Sequence, residues 1–394
     1  ATRRALALCA AASAAAFGLA ARGVPVASEY MARKGNVGKD INKRGTPQGE
    51  VPVPESLGLV CGLAWLTATI LLQQVMPAGL EGVGAASWQV EYNAAMLCVC
   101  FMLLLGFVDD MLDIPWRYKL ALPSVAAMPL LGAYGGHTAV VVPGVLRPLA
   151  APLLAALGQP GSGEMLELGP LYLVYIAALA VFCTNSINIH AGVNGLEAGQ
   201  SLIMAGAVLA LNVGQLAWLD PAIDGAQYEA HLLSVFLMAP FYAVTAALLL
   251  FNWYPSRVFV GDTYTYFAGM TFAVAGVLGH FSETLLVLFL PQVVNFLYSV
   301  PQLFKFPAFP CPRHRLPSFD PATGVLRPTD VHRELWSPKG KAFMNCNLVN
   351  LGLRWGGSCG ENALCVRLLI VQAVAAAMAF ALRAGLSSTG YWKS

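Results

Sequence analysis

Long apolar stretches separated by short polar clusters set the pattern of this chain. A helix that crosses a bilayer needs about 20 predominantly apolar residues, and Pro or Gly can interrupt it where neighbours re-satisfy the backbone. By that measure ten spans are predicted, near 5–28, 57–77, 92–110, 118–136, 168–187, 198–218, 231–251, 262–280, 284–304 and 363–384. The first, "ALALCAAASAAAFGLAARGVPVA", follows Arg3 and Arg4 as a signal peptide would, but is read as an uncleaved span. The chain starts without Met, and further residues are expected before it. Two polar excursions interrupt the pattern. In 137–167 the run "TAVVV" predicts a short strand, and 305–362, rich in Pro, Arg and turn residues, is an insertion between the ninth and tenth helices. The expected fold is an all-α polytopic membrane protein of about ten transmembrane helices. It forms one domain over 1–394, with small β excursions in the extramembrane segments.

Composition agrees: 57% hydrophobic residues, 11% charged and a mean hydropathy of +0.62 are more apolar surface than one soluble core can hide. A net charge of +2, with basic residues in short clusters, excludes a nucleic-acid partner. Where the charges sit says more. Of the 23 basic residues, 18 fall in the segments 22–56, 109–119, 183–198, 252–262 and 305–367, which the positive-inside rule makes cytosolic. Ten spans then put both termini across the membrane. The nine cysteines contain no C-x-x-C and the six histidines no H-E-x-x-H, which argues against a zinc site or a disulfide framework.

Four polar clusters fall on that cytosolic side. In "FMLLLGFVDDMLDIPWRYKL" (101–120), Asp109, Asp110 and Asp113 crowd a helix C-terminus, where they oppose the macrodipole, and Arg117, Lys119 or a metal ion must compensate. "FCTNSINIHAGVNGLEAGQS" (182–201) gathers Asn185, Asn188 and Asn194, whose amides suit a metal, a base or a sugar as well as a capped loop; His190 among them reads as a packing or capping residue. "FNWYPSRVFVGDTYTYFAG" (251–269) places Asp262 where a span begins, so an N-cap is its plain alternative. "FPCPRHRLPSF" (309–319) sets Arg313, His314 and Arg315 on a Pro-stiffened loop, and paired arginines suit phosphate. Together they point to a cytosol-facing site for a phosphorylated substrate and a hard cation. Carboxylates with an amide are the oxygen donors that magnesium favours.

These motifs resemble the polyprenyl-phosphate N-acetylhexosamine-1-phosphate transferases, in particular their eukaryotic, dolichyl-phosphate-using branch. The resemblance runs from roughly 36 to 319 and returns near 345–384. It is carried by "VPESLG", "LGFVDDMLDIPWRYKLALP", "FCTNSINIHAGVNGLEAGQSL", "NWYPSRVFVGDTYTYFAGMTFAVAGVLGHFS", "PQVVNFLYSVPQL" and "CPRHRLP", in that order. Bacterial branches that use undecaprenyl phosphate typically carry Asp-Gly where this chain has "HAGVNG". The resemblance implies a ten-helix homodimer in the endoplasmic reticulum membrane. Such an enzyme moves GlcNAc-1-phosphate from UDP-GlcNAc to dolichyl phosphate and releases UMP, with Mg2+ as cofactor. It assigns Asn188 and Asp262 to the metal, Lys119 to phosphate, and Asp109 with Asp110 to the essential acidic pair. Asn194 and Phe259 match the uridine site, with Asp40 and Ile41 beside it. Glu55 matches a polar residue near the site, and Arg313, His314 and Arg315 match the loop that grips sugar and diphosphate. Three positions depart from the family: Asp113, often Asn; His190, usually Leu; and Lys39, usually Gln. The rival class is a polytopic nucleotide-sugar transporter, for which the mid-span pair Gln292 and Asn295 is the only conspicuous support. A family member using another polyprenyl phosphate is the nearer alternative.

Overall fold

The computed structural model describes residues 2–75, 85–136, 138–141, 147, 152, 165–304, 316–331 and 343–388. Each of the ten apolar segments carries helix. The chain runs through α1 (Thr2–Arg33), α2 (Gly58–Val75), α3 (Ala85–Leu112), α4 (Trp116–Ala126), α5 (Met128–Ala133), α6 (Pro170–Ile189) and α7 (Leu196–Trp218). It continues through α8 (Gly225–Asn252), α9 (Gly261–Leu278), α10 (Ser282–Leu288), α11 (Leu290–Leu303), α12 (Leu348–Gly356) and α13 (Glu361–Ser388). Among the described residues six helices are long and apolar enough to cross a bilayer, or seven if the pair α10 and α11, bent by 69°, is one span. The expected count of ten is not reached by this measure. The reasons are local. The segment expected to span 118–136 breaks at Ala127, where Pro129 follows at the second position of α5 and cannot donate to the preceding turn. α2 is one of the shorter apolar helices, and α9, long enough at 18 residues, opens on the polar run 261–266, which lowers its hydropathy.

α9 is the axis of the bundle, packed by α3, α6, α2 and α8. Its aromatic residues lock into the neighbours: Phe267 meets Trp65 edge-on at 5.6 Å and Phe241 at 5.4 Å, while the Trp65 indole donates to the Leu237 carbonyl at 2.8 Å. Outward positions on the other helices, such as Leu63, Leu97, Leu104, Val174, Leu250 and Val374, are exposed and apolar, as a lipid-facing surface requires. The β excursions are two-stranded and antiparallel. β1 (Val37–Lys39) pairs β2 (Pro52–Pro54), and β3 (Ala139–Val141), the expected "TAVVV" strand, pairs β4 (Met165–Glu167). Within the insertion, β5 (Ser318–Asp320) pairs β6 (Val325–Arg327), and β7 (Asp330–Val331) pairs β8 (Phe343–Met344).

One close approach sets the site. Gly106 on α3 faces the backbone of Asp262 and Thr263 with no room for a Cβ, so α3 and α9 meet at the level where α3 ends and α9 begins. Asp109 and Asp110 are thereby delivered to Asp262.

Candidate active site

Around that junction lies a cavity of about 450 Å³. It is lined by Asp40, Ile41, Glu55, Asp109, Asp110, Lys119, Asn188, Asn194, Phe259 and Asp262, so segments from six parts of the chain bring ten of the expected residues to one space. Arg313, His314 and Arg315 lie outside the described residues.

The three acidic groups of the α3 terminus have separate roles. Asp109, with a fully buried side chain, accepts from Lys119 Nζ at 2.9 Å, from the Tyr266 hydroxyl at 2.8 Å and from the Ile114 backbone N–H at 3.0 Å. Lys119 Nζ also reaches Asp262 Oδ2 at 3.1 Å, and Asn188 Nδ2 donates to Asp262 Oδ1 at 2.5 Å. A chain of carboxylate, ammonium, carboxylate and amide therefore runs across the cavity floor.

Asp110 faces the other way. Its Oδ1 accepts the Asp262 N–H at 2.7 Å, and its Oδ2 accepts the Thr263 hydroxyl at 2.5 Å and the Thr263 N–H at 3.2 Å. Those amides are orphan donors of the first turn of α9, whose own N-cap, Val260, offers no side-chain acceptor. Asp110 thus caps α9 from a neighbouring helix, where the macrodipole favours an anion. Gly261, at φ +74, leaves space for that carboxylate, which a Cβ would strike. The plain alternative for Asp262 falls with this: it lies one residue inside the helix, and its carboxylate turns to Lys119 and Asn188 instead of to the backbone.

Asp113 was expected to crowd the helix C-terminus with Asp109 and Asp110, yet α3 ends at Leu112 and Asp113 turns left-handed at φ +47. Asn and Asp are the side chains that tolerate this conformation best, which is why either can stand there. Of the two cations expected to compensate, Lys119 does so. Arg117 lies over the Tyr118 ring at 5.1 Å. Asn185 does not line the cavity; it donates to the Val181 carbonyl at 2.9 Å and the Lys119 carbonyl at 3.4 Å, tying α4 to α6. His190 is 2% exposed and closes α6 through its backbone N–H to Ser186 at 3.0 Å, the packing and capping role expected of it. Lys39 lines the cavity and pairs with Glu50 at the mouth.

Behind the opposite wall, Asp40 accepts from Lys43 at 2.6 Å and from Asn194 Nδ2 at 2.9 Å. Phe259 is held by its N–H to the Pro54 carbonyl at 2.7 Å, which continues β2 toward the site. Burial, then the Asp110 charge, pushes the Glu55 carboxyl above its ordinary range. Sequence reasoning missed Tyr266, Thr263, Asn42, Glu197 and Leu316. Tyr266 was findable, since it stands four residues after Asp262 on one helix face. The others come together only through tertiary packing.

Among the described residues the lining holds seven acidic side chains, Asp40, Glu55, Asp109, Asp110, Asp113, Glu197 and Asp262, against two lysines, Lys39 and Lys119. A doubly charged phosphate would be favoured there by further positive charge, from a bound cation or from residues outside the described ones. The available donors are hard oxygens, and a half-turn of the Asn188 amide presents its Oδ1 beside Asp262. No group of three His, Cys, Asp or Glu among the described residues has metal-ligand geometry. Asn188 and Asp262 offer two hard oxygen donors, a number that magnesium, which keeps several waters, commonly takes from protein.

A helical membrane bundle with a lysine, carboxylates and amides converging at the end of its axial helix defines a membrane-embedded transferase of phosphorylated groups. The comparisons agree: residues 92–280 match the model of Glycosyl transferase family 4. A Dictyostelium discoideum protein named UDP-N-acetylglucosamine--dolichyl-phosphate N-acetylglucosaminephosphotransferase is 43% identical over 369 residues, covering 91% of this chain and 84% of the relative. Proteins of the same name from Schizosaccharomyces pombe, 42% identical over 77% of this chain and 68% of the relative, and Saccharomyces cerevisiae, 36% identical over 89% and 84%, are also similar. The chain belongs to glycosyl transferase family 4, alongside the dolichyl-phosphate N-acetylglucosaminephosphotransferases.

Proposed function

We propose that this protein transfers N-acetylglucosamine-1-phosphate from UDP-GlcNAc to dolichyl phosphate, giving GlcNAc-diphospho-dolichol and UMP, the first step of dolichol-linked oligosaccharide synthesis. The observation that carries the reading is the convergence of ten of the expected residues, eight of them in the motifs, on one cavity within a membrane bundle. The relatives' shared name supplies the substrates.

The acceptor is a phosphate monoester, whose second pKa near 6 leaves it largely dianionic at neutral pH, so no strong base is needed. Positioning and charge neutralisation dominate such a transfer. Lys119, fixed between Asp109 and Asp262, would hold a phosphate oxygen of the lipid acceptor. Tyr266 and the Ile114 N–H hold Asp109 in turn, so the ammonium is oriented before substrate arrives. We favour direct in-line attack by the lipid phosphate oxygen on the sugar-bearing phosphorus, with UMP departing. Asn188 and Asp262 would hold magnesium, which when bound supplies charge neutralisation to the donor's diphosphate. The loop of Arg313, His314 and Arg315 would grip that diphosphate and sugar.

A cytosol-facing site in the endoplasmic reticulum membrane is supported by the basic-residue asymmetry and by the pathway in which this reaction falls. The homodimer belongs to the same proposal and rests on the family resemblance. The transporter reading loses its support in the structure. Gln292 Nε2 donates to Gln200 at 2.6 Å and Gln372 at 2.7 Å, while Asn295 accepts the Leu348 N–H at 2.8 Å, so both mid-span amides are engaged within the protein. The deciding assay combines purified protein, UDP-GlcNAc, dolichyl phosphate and magnesium, and scores UMP and lipid-linked sugar. Transport of UDP-GlcNAc without either product would overturn the enzyme reading.

A further inference from the structure

A closed ring of hydrogen bonds lies behind the donor side of the cavity. Asp40 Oδ1 accepts the Asn42 N–H at 3.1 Å, and Asn42 Nδ2 donates to Glu361 Oε1 at 2.8 Å. The same Oε1 accepts the Asn194 N–H at 2.9 Å, and Asn194 Nδ2 returns to Asp40 Oδ2 at 2.9 Å. The four residues are 4–7% exposed, and they come from three parts of the chain that are far apart in sequence. Asp40, Asn42 and Asn194 line the cavity; Glu361 stands behind them and does not. No sequence motif marks it.

Glu361 is also where the insertion rejoins the membrane helices, as the first residue of α13. A second, smaller core is built there from Val193 and Leu196 of the cavity turn with Leu326 of β6, Val349 and Leu353 of α12, and Leu364 of α13. Leu326 and Cys359 exchange backbone hydrogen bonds at 2.8 and 3.3 Å, and Leu316, itself a lining residue, packs against Gly192. The insertion therefore seats on the Gly192–Leu196 turn, and one buried carboxylate oxygen pins both that turn and the 40–42 segment.

We propose that Glu361 is a positioning residue for the donor subsite, setting affinity for the UDP moiety by fixing Asn42 and Asn194 against each other. It touches no reacting atom. Its Oε1 accepts from two N–H donors at the start of a 28-residue helix, while its Oε2 is buried without a partner, so the group's hold on the ring runs through one oxygen. The proposal rests on the transferase reading for the identity of the donor. It also gives the insertion a role: β6 and α12 pack behind the turn that carries Asn194.

The test uses full-length purified Glu361→Ala, Glu361→Gln and Asn42→Ala, with kinetics in each substrate and UDP-induced thermal stabilisation without lipid acceptor. Glu361→Ala should raise the donor KM about tenfold and shrink the UDP-induced shift, as loss of one charge-assisted anchor predicts. The KM for dolichyl phosphate and kcat should stay within about twofold, because Lys119 and Asp262 do not contact the ring. Glu361→Gln, which keeps a carbonyl acceptor at the same place, should recover most of the loss; a purely structural role would not split the two KM values in this way. Should Glu361→Ala fail to fold, Asn42→Ala decides, and an unchanged donor KM there overturns the proposal. Equal rises in both KM values would overturn it too. Absence of wild-type turnover would remove the transferase reading while the UDP-induced shift still tests the ring, and a wild-type protein that UDP does not stabilise counts against the ring.

Discussion

Two polar groups sit inside this apolar bundle, and they are built on opposite principles. Near the middle of the bundle, Gln200, Gln292 and Gln372 bond to one another across α7, α11 and α13, and their remaining donors go to the carbonyls of His190 and Leu288. At the end of α9, Asp109, Lys119, Asn188 and Asp262 also bond to one another, but they border open space and carry more negative than positive charge. Both groups are polar residues that a membrane interior penalises. The amides bond across the helices and hold them together, with one acceptor, Gln292 Oε1, left buried without a partner. The charged group instead faces the cavity, where a substrate would meet it.

The widest separation between the two groups should appear on removing the presumed metal ligands. Asp262→Asn and Asn188→Ala are expected to lower turnover by roughly 10³-fold or more while the protein still purifies folded, because each removes an oxygen donor but little packing. Steady-state turnover beside a melting curve would check this. Retained turnover with lowered stability would class Asp262 with the structural amides.

Arg315→Ala should be next, with a loss of roughly 10²-fold in turnover and only partial recovery in Arg315→Lys, since a lysine keeps charge but loses the bidentate fork. The KM for dolichyl phosphate should change little. Near-wild-type turnover would leave the donor's diphosphate to other groups.

Within the charged group, the adjacent pair Asp109 and Asp110 should separate. Asp109→Asn weakens the hold on Lys119, and a roughly tenfold or greater fall in turnover is expected with stability little changed. Asp110→Ala removes the cap of α9 and should cost about 1–2 kcal/mol of stability, with Asp110→Asn milder because an amide oxygen can still accept. Equivalent behaviour of the two variants, in melting and in turnover, would erase the distinction drawn from their geometry.

Much of the charged group was legible in the chain because its members sit in contiguous motifs at the ends of apolar runs. Position marked Asp109, Asp110, Asn188 and Asp262 as polar residues at the ends of apolar runs, but the choice of Lys119 over Arg117, and of a site over a capped loop for Asn188 or an N-cap for Asp262, came from the family resemblance. What separated Asp109 from Asp110 was not legible: adjacent residues on a helix point about 100° apart, and which one meets α9 depends on the Gly106 crossing. The helices were legible as apolar segments, whereas the count of ten is not confirmed by length and hydropathy, because Pro129 breaks one segment, α2 is short and α9 opens on polar residues. Asn42 and Glu361 stand 319 residues apart, and no local pattern pairs them.

The smallest effect tests the amide group itself. Gln292 gives its amide N–H groups to Gln200 and Gln372, and its own Oε1 is buried without a partner. Gln292→Met keeps the length of the side chain, removes both donated bonds and leaves two acceptors facing an apolar methyl. Interhelical side-chain hydrogen bonds in membranes average about 0.6 kcal/mol, so losing two should lower stability by on the order of 1 kcal/mol, read from a melting or denaturant curve in one detergent. Turnover per folded molecule should hold within about twofold, because no member of this group lines the cavity. One route could carry the change further: Gln200 Nε2 holds the His190 carbonyl at 2.9 Å, two residues beyond Asn188. If Gln292→Met lowers turnover well beyond twofold with stability intact, the amides act through that carbonyl on the position of Asn188. The two polar groups would then form one device, with the apolar layer between them serving as its support.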